Sequence, residues 1–264
     1  MTTKRKRWLA GATLLCAVSV AAGVLLFMEW QRNRTETLVV HQGWRATQVY
    51  EAADQALSVP DGTTKKAAAR AARKGKLKLP AAAKENPEGY LYPSTYHVKD
   101  STTPEALVTR MSKTAHNRLR AAGPTDYKTL VIASIVQAEA GNPQDMAKVA
   151  RVIENRLKID MPLQMDSSIN YALGRSTLNT TRADTRIRSP YNTYRHKGLP
   201  PTPINNPGSE ALKATKNPAK GDWLFFVTVK TGDTRFTADY KQHQKWVEEF
   251  NAEQRKNMEQ RNGA

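Results

Sequence analysis

The chain has 264 residues, a net charge of +17 at pH 7 and 25% charged residues, a size that suits one anchor and one or two modest domains. So basic a chain favours an anionic partner, such as nucleic acid, anionic lipid or an acidic polymer of the cell wall. No RNA-recognition, zinc-finger or helix-turn-helix signature accompanies the basic residues, so we do not expect nucleic-acid binding.

An uncharged apolar segment, residues 8–28, follows four basic residues at the N-terminus. It is long enough to cross a membrane, and Trp8 and Trp30 bracket it as interfacial anchors. A cleaved signal peptide is the alternative, because residues 20–22 could serve as a cleavage site. The positive-inside bias predicts a cytoplasmic tail at 1–7, a single span in the cell membrane and an extracytoplasmic remainder.

The segment after the span predicts a linker followed by short strands and a helix. Residues 29–37 form a polar linker, and short strands are predicted at 38–40 and 95–98, with a helix at 47–56 between them. Residues 63–78 are rich in Lys, Arg and Ala and indicate either a solvated helix or a flexible basic segment. Residues 86–98, which hold three tyrosines, would either stack on sugar rings or form a packed domain junction.

The most informative stretch is LVIASIVQAEA, residues 130–140. It is apolar almost all the way round, which predicts a buried helix, and Asp126 lies where a residue would cap its start. Glu139 comes at its C-terminal end, before Gly141. Burial and the negative end of the helix dipole both disfavour the carboxylate, so the pKa of Glu139 should rise and the side chain could donate a proton. The alternative is an exposed Glu in a frayed last turn.

The rest of the chain predicts further helices, one long loop and a hairpin. Asn142 and Pro143 should begin an amphipathic helix, as cap and first helical residue. A short helix capped by Ser167 or Asp166 should end near residue 173. Residues 174–207 form a long polar loop, which would be either functional or disordered; its aromatic and apolar residues favour an ordered binding loop. Four further elements complete the chain: a helical segment at 209–215, a hairpin with strands at 223–229 and 235–237, a helix from residue 240, and a polar tail that should fray after 252.

Elimination favours carboxylate chemistry; a Ser-His-Asp triad stays open as an alternative, but nothing in the sequence singles out a serine. The five histidines show no metal-ligand spacing, the only cysteine lies in the apolar segment, and no phosphate loop or G-x-S-x-G turn is present. We therefore expect no cofactor and no metal. A glycosidase with two carboxylates would need a partner for Glu139, and Asp166 in its polar loop is the best candidate.

Several separate motifs give the sequence a family resemblance. The segments ASIVQAEA, ENRL, LQMD, SPYNTY and GLPPTPINNPG, with NPEGYLYPSTY upstream, resemble in composition and order those of the endolytic murein transglycosylases, the MltG or YceG-like family. The resemblance runs from about residue 38 to about residue 250.

The resemblance implies a lyase that cleaves peptidoglycan between N-acetylmuramic acid and N-acetylglucosamine within the strand, leaving a 1,6-anhydro-muramyl end. The catalytic glutamate of the family matches Glu139. Many members have E-K-E where this chain has Q-A-E, so position 137 offers no rival acid. The candidates for substrate contact and support are Gln164, Asp166, Asn192 and Tyr194. The expected partners are glycan strands, the membrane and peptidoglycan synthases.

Together these features predict an α+β protein with an N-terminal transmembrane helix, a small LysM-like α/β subdomain and a mixed helical catalytic domain with a small β-sheet. The predicted boundaries are a tail at 1–7, an anchor at 8–28, a linker at 29–37, a LysM-like subdomain at 38–98, a catalytic domain at 99–252 and a polar tail at 253–264. The LysM-like region is short here and carries the basic residues 63–78.

Overall fold

The computed structural model describes residues 35–175 and 180–262, with side chains to residue 256. The predicted tail and membrane anchor, residues 1–28, lie outside the described residues. Within the described ranges the chain has eight α-helices and two separate two-stranded antiparallel sheets, which confirms the predicted α+β class. None of the helices in these ranges is both long enough and apolar enough to span a membrane.

The elements follow the predicted order. The helices are α1 (Ala46–Ala56), α2 (Thr63–Arg73), α3 (Pro104–Ala121), α4 (Tyr127–Glu139), α5 (Pro143–Lys158), α6 (Asp166–Ala172), α7 (Ser209–Lys216) and α8 (Tyr240–Asn262). The strands are β1 (Thr35–Val39), β2 (Thr95–Lys99), β3 (Phe225–Lys230) and β4 (Asp233–Thr237). The last helix extends ten residues past the point where fraying was predicted, because its Glu, Gln, Lys and Arg residues are good helix formers.

The first half of the chain builds one core on the β1–β2 pair. Leu38 pairs with Tyr96 in the antiparallel register, and both side chains are buried. The basic segment is a helix: four of the five alanines of α2 are buried, the helix packs against α3, and its lysines and arginines are exposed. Residues from α3, including Leu107 and Met111, complete this core. The core therefore reaches beyond the predicted boundary at residue 98.

Helix α4 forms the centre of the second half. All of its residues from Leu130 to Val136 are buried, and Asp126 caps its start by accepting a hydrogen bond from the Thr129 N–H at 2.7 Å. Helices α5 and α7 pack against it, and the β3–β4 hairpin joins the same apolar cluster. The predicted buried helix and its cap are both confirmed.

The segment between the two halves is a packed junction. Tyr90 is buried with Leu130 and Leu212 in a third apolar cluster, and Tyr96 is buried in the first core, whereas Tyr92 is only half-buried. Of the two interpretations of residues 86–98, the packed junction is the one the structure supports for Tyr90 and Tyr96.

Candidate active site

Glu139 is the last residue of α4 and sits at the mouth of a cleft. Ala140 follows in an extended conformation, and the Asn142 side chain then caps α5 by accepting from the Asp145 N–H at 2.9 Å. The cap and Pro143 start a new helix at once, so the chain turns directly behind the carboxyl group. Glu139 is partly buried here rather than exposed in a frayed turn.

The cleft beside Glu139 has a volume of about 430 Å³. The cleft is lined by the α4–α5 turn and Met146, by Gln42 from the loop after β1 and by Glu210 from the start of α7. Gln137 accepts a hydrogen bond from the Gly208 N–H at 2.9 Å. Its side chain therefore fixes the start of α7 rather than adding a second acid.

Ser167 holds the Glu139 carboxyl group. The serine Oγ donates to Oε1 at 2.6 Å, and its backbone N–H donates to the same oxygen at 3.3 Å. Burial raises the pKa of Glu139, while the Ser167 bonds stabilise the carboxylate and partly oppose this rise. The charge of Asp166 pushes the pKa further up, and the charge of Arg156 pulls it down. The net direction is upward, as a proton donor requires.

Asp166 and Tyr194 form a second bonded pair next to the first. The tyrosine Oη donates to Asp166 Oδ1 at 2.5 Å. Burial and the adjacent Asp166 both raise the pKa of Tyr194, which stays a neutral donor. Asn192 fixes this tyrosine from behind, because its Oδ1 accepts the Tyr194 N–H at 3.0 Å.

Arg156, from the ENRL motif on α5, ties the site to the hairpin. Its guanidinium is buried and donates to the carbonyls of Leu224 at 2.6 Å and Leu163 at 2.5 Å. The ring of Phe225 lies under it, 5.4 Å from the guanidinium carbon to the ring centroid. The motif thus positions the turn that leads into α6, and with it Asp166 and Ser167.

The other sequence candidates differ in their surroundings. Gln164 is exposed, and its N–H donates to the Thr193 carbonyl at 3.0 Å. Substrate contact at Gln164, Asp166 and Tyr194 stays a prediction. Asn192 has no exposed surface, and its Nδ2 donates to two carbonyls of its own loop. It therefore supports the loop, and substrate contact at Asn192 stays a prediction.

The prediction that Ser167 or Asp166 caps α6 is wrong. Met165 occupies the cap position of α6, and neither Asp166 nor Ser167 caps the helix, because both side chains are bonded to the site instead. The serine's place directly after Asp166 was the available signal. Gln42 and Glu210 were also missed, since nothing local in the sequence brings them to Glu139.

The fold and the site together define an α+β protein in which Glu139, a carboxyl group of raised pKa, lines an open cleft. Within the described residues, no three His, Cys, Asp or Glu side chains have the arrangement of a metal site.

Comparison with known proteins places this architecture in a family. Residues 17–249 match the model of the YceG-like family. A Bacillus subtilis protein named endolytic murein transglycosylase is 37% identical over 171 residues, covering 62% of this chain and 48% of its own length. A Streptococcus pneumoniae protein of the same name is 36% identical over 175 residues, covering 61% of this chain and 32% of its own.

The fold agrees with a solved structure. A crystal structure of a YceG-like protein from Listeria monocytogenes superposes with a TM-score of 0.69 at 30% identity, over 79% of this chain and 74% of that one. The chain belongs to the YceG-like family. It spans about half or less of the length of the two curated relatives.

Proposed function

We propose that the protein is an endolytic lytic transglycosylase, which cleaves glycan strands of peptidoglycan between N-acetylmuramic acid and N-acetylglucosamine. The observation that carries the proposal is Glu139, a carboxyl group of raised pKa at the edge of an open cleft. The similarity to proteins named endolytic murein transglycosylase supports the choice of substrate.

One carboxyl group suffices for this reaction because the nucleophile belongs to the substrate. Protonated Glu139 donates its proton to the glycosidic oxygen as the bond from that oxygen to C1 breaks. The muramyl 6-hydroxyl then attacks C1, and the Glu139 carboxylate takes the hydroxyl proton. The products are a 1,6-anhydro-muramyl end and a free 4-hydroxyl, with no water consumed. The Ser167 hydroxyl stabilises the carboxylate between the two proton transfers.

We further propose that residues 8–28 anchor the protein in the cell membrane as a single span, with residues 1–7 cytoplasmic and the catalytic domain outside. The apolar character and length of this segment support the proposal. Residues 38–98 would form the LysM-like subdomain, and the substrate would be nascent strands, whose elongation the cleavage would limit. Peptidoglycan synthases are the partners this role calls for.

A lysozyme-like hydrolase using Glu139 and Asp166 is the enzymatic alternative. It needs Asp166 as a nucleophile or base, but Tyr194 already donates to one oxygen of this carboxylate at 2.5 Å. The bond weakens Asp166 as a base, which favours the one-carboxyl mechanism.

Product analysis tests the proposal. The purified chain should release fragments with anhydro-muramyl ends, which are one water lighter than reducing ends by mass spectrometry. Glu139→Gln should remove this activity without changing thermal unfolding. Reducing ends in place of anhydro ends would establish the hydrolase, and cleavage by Glu139→Gln at the wild-type rate would contradict the assignment of the acid. A wild-type chain that binds wall without cleaving it would be a scaffold.

A further inference from the structure

A second cleft, of about 580 Å³, adjoins the cleft of Glu139. The two clefts share Gln42 and Glu210, and both of these side chains are exposed. The remaining walls of the second cleft, which we call the distal cleft, come from residues 92–94, the end of α3 and helix α7. A ligand that extends from Glu139 past Gln42 and Glu210 therefore enters the distal cleft.

The distal cleft is positively charged. Arg118, Lys213 and Lys216 line it, against the single carboxylate of Glu210. Lys216 is already engaged, because its ammonium group donates to the Ala122 carbonyl at the end of α3. Within the described residues, neither Arg118 nor Lys213 forms an ion pair within 4.0 Å. Two cations thus face the cleft with their charges unmatched.

Arg118 is held at the wall of this cleft. Its guanidinium carbon lies 5.9 Å from the centroid of the Tyr92 ring, close enough for a cation–π contact. A guanidinium fixed over an aromatic ring keeps its planar edge for a carboxylate, which it can bind through two parallel hydrogen bonds. Lys213, one turn before the end of α7, adds a mobile point charge.

We propose that the distal cleft binds the carboxylate-bearing peptide stem carried by a muramyl residue of the glycan strand, with Arg118 and Lys213 contacting its carboxylates. The inference rests on the proposed function and names a further part of the same substrate. The sugars of a glycan strand carry no charge once their lactyl groups are joined to peptides, so the stem supplies the anion. Ion pairs at an open cleft are individually weak, so the site selects stem-bearing strands rather than driving binding alone.

A kinetic comparison on two substrates tests this subsite. The full chain in detergent is assayed on strands with free stem carboxylates and on the same strands with those carboxylates converted to amides, because removal of the stems would expose the lactyl carboxylates. Arg118→Gln with Lys213→Gln should lower kcat/KM on the strands with free carboxylates by about 3- to 10-fold and leave it unchanged on the amidated strands. Added salt should reduce the difference. The control pair Arg70→Gln and Lys113→Gln removes the same charge from exposed positions outside the cleft, and should change neither rate.

Direct binding separates failure of the subsite from failure of the proposed function. A fluorescent muramyl peptide is titrated against the full chain carrying Glu139→Gln, with and without the Arg118 and Lys213 substitutions. The double substitution should weaken binding of the charged probe by the same factor. The probe with its carboxylates amidated should bind the chain with Arg118 and Lys213 intact as weakly as the charged probe binds the double variant. Equal affinities for the charged and amidated probes, or equal losses of kcat/KM on both kinds of strand, would overturn the subsite. A wild-type chain that cleaves neither strand would instead contradict the proposed reaction, and the titration alone would then decide the subsite.

Discussion

Two glutamates, the buried Glu88 and the half-buried Glu139, share an elevated pKa but differ in what surrounds them. Burial raises the pKa of Glu88 to about 7 and also raises that of Glu139. Glu88 is 3% exposed and accepts hydrogen bonds from the Ala46 N–H at 2.9 Å, the Tyr171 hydroxyl at 3.2 Å and the Asn206 amide at 3.3 Å. It thereby ties the start of α1 to the junction and to the long loop.

Glu139 has one bonded residue, Ser167, and lines an open cleft. Desolvation alone therefore does not identify the proposed acid, because it raises the pKa of both carboxyl groups. What distinguishes Glu139 is that it lines an open cleft. Glu88 acts as a fixed acceptor that joins three segments of the chain.

The largest expected effect separates the two glutamates by activity. Glu139→Gln should lower kcat for release of anhydro-muramyl ends by about 10²- to 10⁴-fold, since it removes the acid and base of the reaction. Glu88→Gln should keep kcat within about threefold, because a glutamine oxygen still accepts the Ala46 N–H. Steady-state assays with mass-spectrometric product counting measure both. A similar collapse in the Glu88 variant, with its fold intact by circular dichroism, would assign chemistry to the junction.

The next effect concerns the backbone beside Glu88. Gly89 has φ +84°, and a Cβ there would lie 2.7 Å from Cγ of Pro203 and 3.2 Å from Leu130. Gly89→Ala combines left-handed strain with a clash against a ring, and should lower the free energy of unfolding by about 3–5 kcal/mol. Gly62 has φ +80° with open space around it, so Gly62→Ala should cost only about 1–2 kcal/mol. Denaturant unfolding measures both values, and equal losses would show that the contact with Pro203 contributes nothing.

A smaller effect follows from the ionisation of Glu88. Its pKa is raised in the fold, so its contribution to stability is complete below the unfolded value of 4.5 and is lost as the pH rises towards 7. The shift corresponds to roughly 3 kcal/mol across this window. The charged and titratable groups that face it are Arg45, Tyr171 and Tyr50. Neither tyrosine ionises in this window, because burial and Glu88 raise the pKa of each, and Arg45 stays protonated throughout.

Glu88→Gln should therefore flatten the pH dependence of unfolding between pH 4.5 and 7, relative to the wild type. Chemical denaturation at several pH values gives the two curves. Parallel curves for wild type and variant would mean that Glu88 is ionised in the fold throughout this range.

The two glutamates also show how far the sequence could lead. The helix that carries Glu139 was predictable, because an apolar run capped by Asp126 is a local pattern. Its contact with Ser167 was not, since it joins residues 28 apart and depends on how α6 packs. Glu88 lies 118 residues from Asn206, and no sequence periodicity or motif spacing predicts their contact. Helices and their caps can thus be predicted from local sequence patterns. The polar contacts that build the site form only when distant segments pack together.

Two of the sequence motifs have structural roles that their local pattern does not predict. The ENRL and INNPG segments contributed to the family resemblance, but their roles emerge only in three dimensions. Arg156 of ENRL donates hydrogen bonds to the Leu163 carbonyl, in the turn that leads into α6, and to the Leu224 carbonyl, directly before β3. Asn206 of INNPG contacts Leu91, Trp44 and Glu88 at the junction. Both residues position the site without needing to touch the substrate.

The smallest effect tests how its neighbours tune Glu139. Catalysis requires the protonated form, so activity should fall as the pH rises through the pKa of Glu139. Ser167→Ala removes the bonds that favour the carboxylate, which should raise this pKa and move the alkaline limb to higher pH by about half to one unit. Asp166→Asn removes the negative charge that opposes ionisation, so the limb should move to lower pH by a similar amount. Profiles of kcat/KM against pH report the free enzyme, and opposite displacements in the two variants are the expected result. If the alkaline limb moved in the same direction in both variants, another group would set it. A general loss of packing would give no reason for the two substitutions to move the limb in opposite directions.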